Sequence, residues 1–79
     1  MSRERTFPRR RVLKSGTIEF GGGVIDCMIR NLSSVGAALE VTTPVGIPEN
    51  FMLIFRTEGM QKPCRVVWRR DKRIGVAFD

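Results

Sequence analysis

From Val12 onward, apolar residues recur at every second position in short runs, broken by glycine, proline, asparagine and aspartate. A period of two predicts strands that each turn one face toward a core. Val12 to Phe20 is the first such run, imperfect because Gly16 interrupts it, and Gly21-Gly22-Gly23 then marks a hairpin turn. Val24 to Arg30 alternates well, with Ile25, Cys27 and Ile29 on one side and Asp26, Met28 and Arg30 on the other. Asn31-Leu32-Ser33-Ser34-Val35-Gly36 breaks the pattern with turn formers. Ala37 to Val41 reads as a short strand, followed by the loop Thr43-Pro44-Val45-Gly46-Ile47-Pro48. Phe51 to Phe55 places Phe51, Leu53 and Phe55 on one face, and Glu58-Gly59 marks a turn. Cys64 to Trp68 predicts Cys64, Val66 and Trp68 inward, with Arg65 and Val67 outward. Arg70-Asp71-Lys72 is a tight turn, and Ile74 to Phe78 closes the series with Ile74, Val76 and Phe78 on one face.

Six short strands without helical periodicity predict an all-β fold, a small antiparallel barrel or sandwich. Closure into a barrel removes the edge strands that a thin sheet would expose. Residues 1–11 lack this periodicity and carry Pro8, which biases Phe7 toward extended conformations. They are expected to form a flexible basic arm on a barrel spanning residues 12–79, the whole making one domain. A chain of 79 residues buries only about 60% of the surface that its unfolded form exposes. A deep active site is therefore not expected.

Charge sharpens the picture. The net charge is +6. Residues 1–14 hold Arg3, Arg5, Arg9, Arg10, Arg11 and Lys14 against Glu4 alone, so nearly all of the excess lies in these first residues. Such a distribution points to an anionic partner, or to a solvated tail. The absence of histidine excludes histidine triads, histidine general bases and histidine metal sites. Cys27 and Cys64 are too far apart for a paired metal motif and too few for a disulfide framework. They read best as small core residues, with a disulfide as the lesser alternative. No metal or cofactor is expected, and an enzyme has little support. Arg69, Arg70, Lys72 and Arg73 around Asp71 read as a solvated hairpin turn, with an extension of the phosphate-facing surface as the alternative. The charged N-terminus has no apolar stretch behind it, unlike a secretory signal. The run Phe51 to Phe55 falls far short of the ~20 apolar residues of a membrane span. A cytoplasmic location without membrane insertion is the default.

Two clusters could carry a ligand. The first is Arg5-Thr6-Phe7-Pro8-Arg9, followed by Arg10 and Arg11. The guanidinium is a planar fork that pairs bidentately with phosphate oxygens and with the O6 and N7 acceptors of guanine. In an extended segment, Arg5 and Arg9 would stand about 13 Å apart at Cα, at ~3.3 Å per residue, near enough to bracket one compact ligand. The second is Asn31-x-Ser33-x-x-Gly36. Asn31 and Ser33 can make local turn bonds and Gly36 can supply a positive φ, or the polar pair can point outward to a base edge.

Together, an Arg-x-x-x-Arg arm and an Asn-x-Ser-x-x-Gly turn between strands of a small β-barrel resemble the PilZ domain family. The resemblance extends to Cys64-Arg65-Val66-Val67-Trp68 and Gly75-Val76-Ala77-Phe78, and so covers nearly the whole chain. Family members are bacterial receptors for cyclic di-GMP with a six-stranded barrel. The resemblance implies that Arg5 and Arg9 grip the phosphates and guanine edges of this ligand, with Arg10 able to share the role of Arg9. It implies further that Asn31 and Ser33 bind a guanine from the barrel face, and that Gly36 allows close approach. The arm would order on binding and change the surface shown to a partner. The implied protein is a second-messenger receptor acting through an unidentified protein effector in trans, in motility, exopolysaccharide or adhesion control. Glu4 stands where many members carry a basic residue linked to a bound ligand dimer, so one or two ligands per chain both stay open. A ligand-independent adaptor is one alternative. A small nucleic-acid-binding barrel is another, disfavoured because only Phe7 lies near the basic cluster as a stacking platform.

Overall fold

The computed structural model describes residues 10–79. Every regular element among them is a strand: β1 (Arg10–Phe20), β2 (Gly23–Leu32), β3 (Gly36–Glu40), β4 (Asn50–Phe55), β5 (Met60–Arg70) and β6 (Arg73–Phe78). They form a closed antiparallel barrel in the order β1-β2-β3-β6-β5-β4. Closure is made by β1, which pairs with β2 on one side (Ile18 opposite Ile25) and with β4 on the other (Ile18 opposite Leu53). Every strand therefore has two hydrogen-bonded neighbours, which leaves no exposed edge for another chain to pair with.

The alternation seen in the sequence becomes the barrel interior. Ile18, Ile29, Leu39, Leu53, Phe55, Cys64 and Ile74 are fully buried, with Cys27, Phe51, Val66 and Val76 nearly so. Burying each of the larger aliphatic or aromatic side chains stabilises the fold by roughly 1.5–3 kcal/mol. Among the described residues no polar or charged side chain is buried, so the core stores no unpaired charge. Two tight hairpins set the registers. Gly21 and Gly22 take φ of 48° and 83° between β1 and β2, a left-handed pair that glycine adopts freely. Asp71 takes φ of 55° between β5 and β6, a region aspartate tolerates better than most residues.

Three details depart from the sequence reading. β1 opens at Arg10, two residues before the apolar alternation begins, because Arg10 and Arg11 pair with Leu32 and Asn31. Only residues 1–9 of the expected arm thus lie outside the described residues. β2 runs on to Leu32, so Asn31 belongs to a strand rather than to the turn after it. Finally, Trp68 is not inward but 45% exposed. The β5–β6 register shifts between Val66 and Trp68, which pair with Val76 and Gly75. Val67 is the extra residue, and one inserted residue flips every later side chain to the other face.

Candidate functional site

Three irregularities of register fall at one level of the barrel. Between β1 and β2, Val12 and Leu13 together oppose the single residue Arg30. Between β2 and β3, Arg30 is itself the extra residue, skipped between Ile29 and Asn31. The third is Val67 on β5. Bulges of this kind re-aim side chains and are frequent beside binding sites. Below them a row of cross-strand neighbours crosses five strands: Arg11, Asn31, Ala38, Gly75 and Trp68. Such neighbours share a face, so arginine and asparagine stand at one end of the row and an indole at the other, with small residues between.

An open groove of about 590 Å³ occupies the arginine end, lined by Arg11, Val12, Leu13, Arg30, Asn31 and Arg73. Three strands bring its three guanidinium groups together: β1, β2 and β6. Leu13, 70% exposed, adds an apolar wall, a consequence of the β1 bulge. Arg30 Nη1 donates to Glu40 Oε1 at 2.7 Å across β2 and β3. Among the described residues no carboxylate lies within ion-pair reach of Arg11 or Arg73. The groove is therefore electropositive and open to solvent, a place for an anion with an apolar or flat face.

The candidate residues separate into distinct places. Asn31 faces the groove. Arg10 is exposed at the start of β1, opposite Leu32, and is not among the lining residues. Ser33 closes the β2–β3 turn. Its N–H donates to the Gly36 carbonyl at 2.9 Å, its Oγ accepts from Val35 N–H at 3.2 Å, and its hydroxyl donates weakly to the Gly36 carbonyl at 3.4 Å. Gly36 does not take the positive φ that the turn reading allowed. It is needed instead because a Cβ there would overlap the Val76 carbonyl oxygen on β6. Arg5 and Arg9 lie outside the described residues, Arg9 immediately before β1.

Sequence reading missed Arg30 and Arg73 as members of this site, and treated Arg11 only as part of a basic run. By sequence Arg73 reads as part of a solvated hairpin, with an extended phosphate-facing surface only as the alternative, and Arg30 reads as part of the polar face of its strand. Nothing local distinguishes them, since they meet only through the pairing of β2, β3 and β6.

The two cysteines lie in the barrel interior and not on the groove. Cys27 and Cys64 are free, buried thiols. Burial, with a smaller contribution from Asp26, pushes the Cys27 thiol up to about 12, and burial pushes Cys64 up to about 11. Neutral thiols are poor nucleophiles and poor metal ligands. Among the described residues no group of three acidic, cysteine or histidine side chains could hold a metal ion, and no helix is long and apolar enough to cross a membrane.

No curated protein matches the chain. A family model, that of the PilZ domain, matches residues 3–79, a span that includes Arg5 and Arg9 as well as every strand of the barrel. With its closed six-stranded architecture, the chain belongs to the PilZ domain family, whose members are cyclic di-GMP receptors.

Proposed function

We propose that this domain holds cyclic di-GMP against the groove of β1, β2 and β6 and passes the signal to a protein partner. Arg5 and Arg9 clamp the ligand from the segment preceding β1, Arg10 supports them, and Asn31 and Ser33 meet a guanine from the barrel side, with Gly36 allowing the close approach. The observation that carries the reading is the placement of Asn31. It stands in one groove with Arg11, Arg30 and Arg73, directly across from Arg11 on β1, the strand that continues Arg9. Cyclic di-GMP is a compact dianion with two guanines. Guanidinium forks match its phosphate oxygens and the O6 and N7 edge of guanine. The Asn31 amide supplies one acceptor and two N–H donors, and Leu13 offers a base an apolar surface.

The domain is a receptor and not an enzyme, needs no cofactor or metal, and works in the cytoplasm through an effector in trans. Control of motility, exopolysaccharide synthesis or adhesion is the expected output. Calorimetric titration of the full chain with cyclic di-GMP tests this, with GTP and a short single-stranded oligonucleotide as controls. Saturable binding to cyclic di-GMP alone is expected, and its molar ratio reads out the stoichiometry. Binding of the oligonucleotide alone, or of no nucleotide, would replace the receptor with a nucleic-acid module or an adaptor.

A further inference from the structure

Within the groove's arginine set there is one anion, and its position is informative. Glu40 closes β3, the strand lying between β2 and β6. On one side its carboxylate takes the Arg30 guanidinium at 2.7 Å. On the other it is the cross-strand neighbour of Arg73. One guanidinium of the groove thus holds a carboxylate that does not itself line it, and a second, that of Arg73, belongs to the residue across the ladder from that carboxylate. The Arg30–Glu40 side chains are 38% and 40% exposed, so the pair is half-buried, neither fully screened nor costly to separate.

The ion pair also leaves Arg30 underused. A guanidinium carries five N–H donors. Arg30 spends Nη1 on Glu40, and its side chain also lines the groove. Arg30 is therefore shared between an internal carboxylate and whatever anion arrives. Any anion must compete with Glu40 for Arg30 and must also approach the negative charge of Glu40, the cross-strand neighbour of Arg73.

We infer that Glu40 is a positioning residue that sets the ligand affinity of this domain from below: it aims Arg30 at the groove and holds the groove's affinity for dianions beneath what the three arginines alone would give. This rests on the reading of the groove as the cyclic di-GMP site. Glutamine at position 40 keeps a carbonyl oxygen for Arg30 Nη1 and removes the charge. Alanine removes the charge and the aim together.

The test is titration of wild type, Glu40→Gln, Glu40→Ala and Asp26→Asn with cyclic di-GMP. Asp26 is an exposed carboxylate paired with Arg56 that does not line the groove, so Asp26→Asn controls for overall charge. Removing one charge beside a dianion, screened over a Debye length of about 8 Å at physiological salt, predicts a roughly threefold tighter complex for Glu40→Gln. Glu40→Ala is expected to gain less than Glu40→Gln, because it also frees Arg30. The Glu40→Gln gain is expected to grow at about 0.01 M salt and to fade at about 1 M, where screening lengths run from about 30 to 3 Å. Unchanged or weaker binding by Glu40→Gln would overturn the inference, as would an equal gain from Asp26→Asn. A wild type that does not bind cyclic di-GMP would instead sink the receptor reading. The Glu40 inference is then decided by pyrophosphate, an anion without bases. Tighter pyrophosphate binding by Glu40→Gln would uphold it, and no difference or no binding would end it.

Discussion

Substituting Gly36 with alanine separates what this residue does for the barrel from what it does for a ligand. Gly36 opens β3 opposite Ala77 of β6. The added Cβ would overlap the Val76 carbonyl oxygen, a backbone atom that cannot swing aside as a side chain can. β3 must then move away from β6 where the two begin to pair. Two nearby hydrogen bonds depend on that approach: Ser33 N–H to the Gly36 carbonyl at 2.9 Å, and Phe78 N–H to the Val35 carbonyl at 2.8 Å. Forcing an extra carbon into a closely packed region costs about 1–3 kcal/mol, and weakening one adjoining hydrogen bond adds about 0.5–1.5 kcal/mol. A combined loss of roughly 2–4 kcal/mol follows, a large part of the total of about 5–15 kcal/mol that holds a small domain folded. At about 4–8 °C per kcal/mol for a domain of this size, the melting point should drop by roughly 10–30 °C. The assay is urea and thermal unfolding without ligand, followed through Trp68, the one tryptophan in the sequence. If Gly36→Ala unfolds within about 0.5 kcal/mol of wild type, as neutral surface changes do, β3 can give way without loss and this reasoning fails.

Ser33→Ala removes the hydroxyl that accepts from Val35 N–H; a loss of about 0.5–1.5 kcal/mol with the strand signal in circular dichroism retained is expected, and outright unfolding would make the turn its dominant role. A Cβ at Gly75 would run into the Trp68 indole, so Gly75→Ala should lift the ring from the wall and shift its emission to the red; an unchanged spectrum would contradict the stacking of indole on Gly75. Both thiols have pKa values raised from 9.0, to about 12 for Cys27 and about 11 for Cys64. The unfolded chain therefore sheds these protons first: stability is fully present below about pH 9 and falls as pH rises toward 11–12, by at most about 1.4 kcal/mol per pH unit for each thiol. Urea midpoints at several alkaline pH values check the slope, which Cys27→Ala should flatten, and with no tyrosine in the chain none titrates beside it.

The parts of this fold legible in the sequence are those decided by neighbours in the chain. Gly21-Gly22 and Asp71-Lys72 announce hairpins, and Phe51, Leu53 and Phe55 alternate because β4 has one dry face. Trp68 was misread because period-two counting assumes an unbroken register, and Val67 breaks it. Asn31 was misread because a strand can continue through a polar residue when partners on both sides, here Arg11 and Ala38, supply its hydrogen bonds. The site was half legible for the same reason. Its motif residues stand close in sequence, whereas Arg30, Glu40 and Arg73 become neighbours only when β3 settles between β2 and β6.

That geometry also gives the spacing Asn31-x-Ser33-x-x-Gly36 a physical meaning. Asn31 ends on the groove, Ser33 closes the turn two residues later, and Gly36 lets β3 approach the strand that carries Arg73. Two of the three residues thus hold the third, and the approach of the strand that carries Arg73, in place. Loss of binding in Ser33 or Gly36 variants therefore cannot distinguish a lost ligand contact from a displaced wall. Asn31→Ala can. The Asn31 side chain makes no hydrogen bond within the described residues, and it is only half-buried, so its truncation should change stability by less than about 0.5 kcal/mol. Losing a hydrogen bond to a neutral base edge should weaken cyclic di-GMP binding by roughly 2- to 13-fold, the equivalent of about 0.5–1.5 kcal/mol. An Asn31→Ala variant that is stable and binds as tightly as wild type would move the guanine away from β2 and leave the groove to the arginines alone.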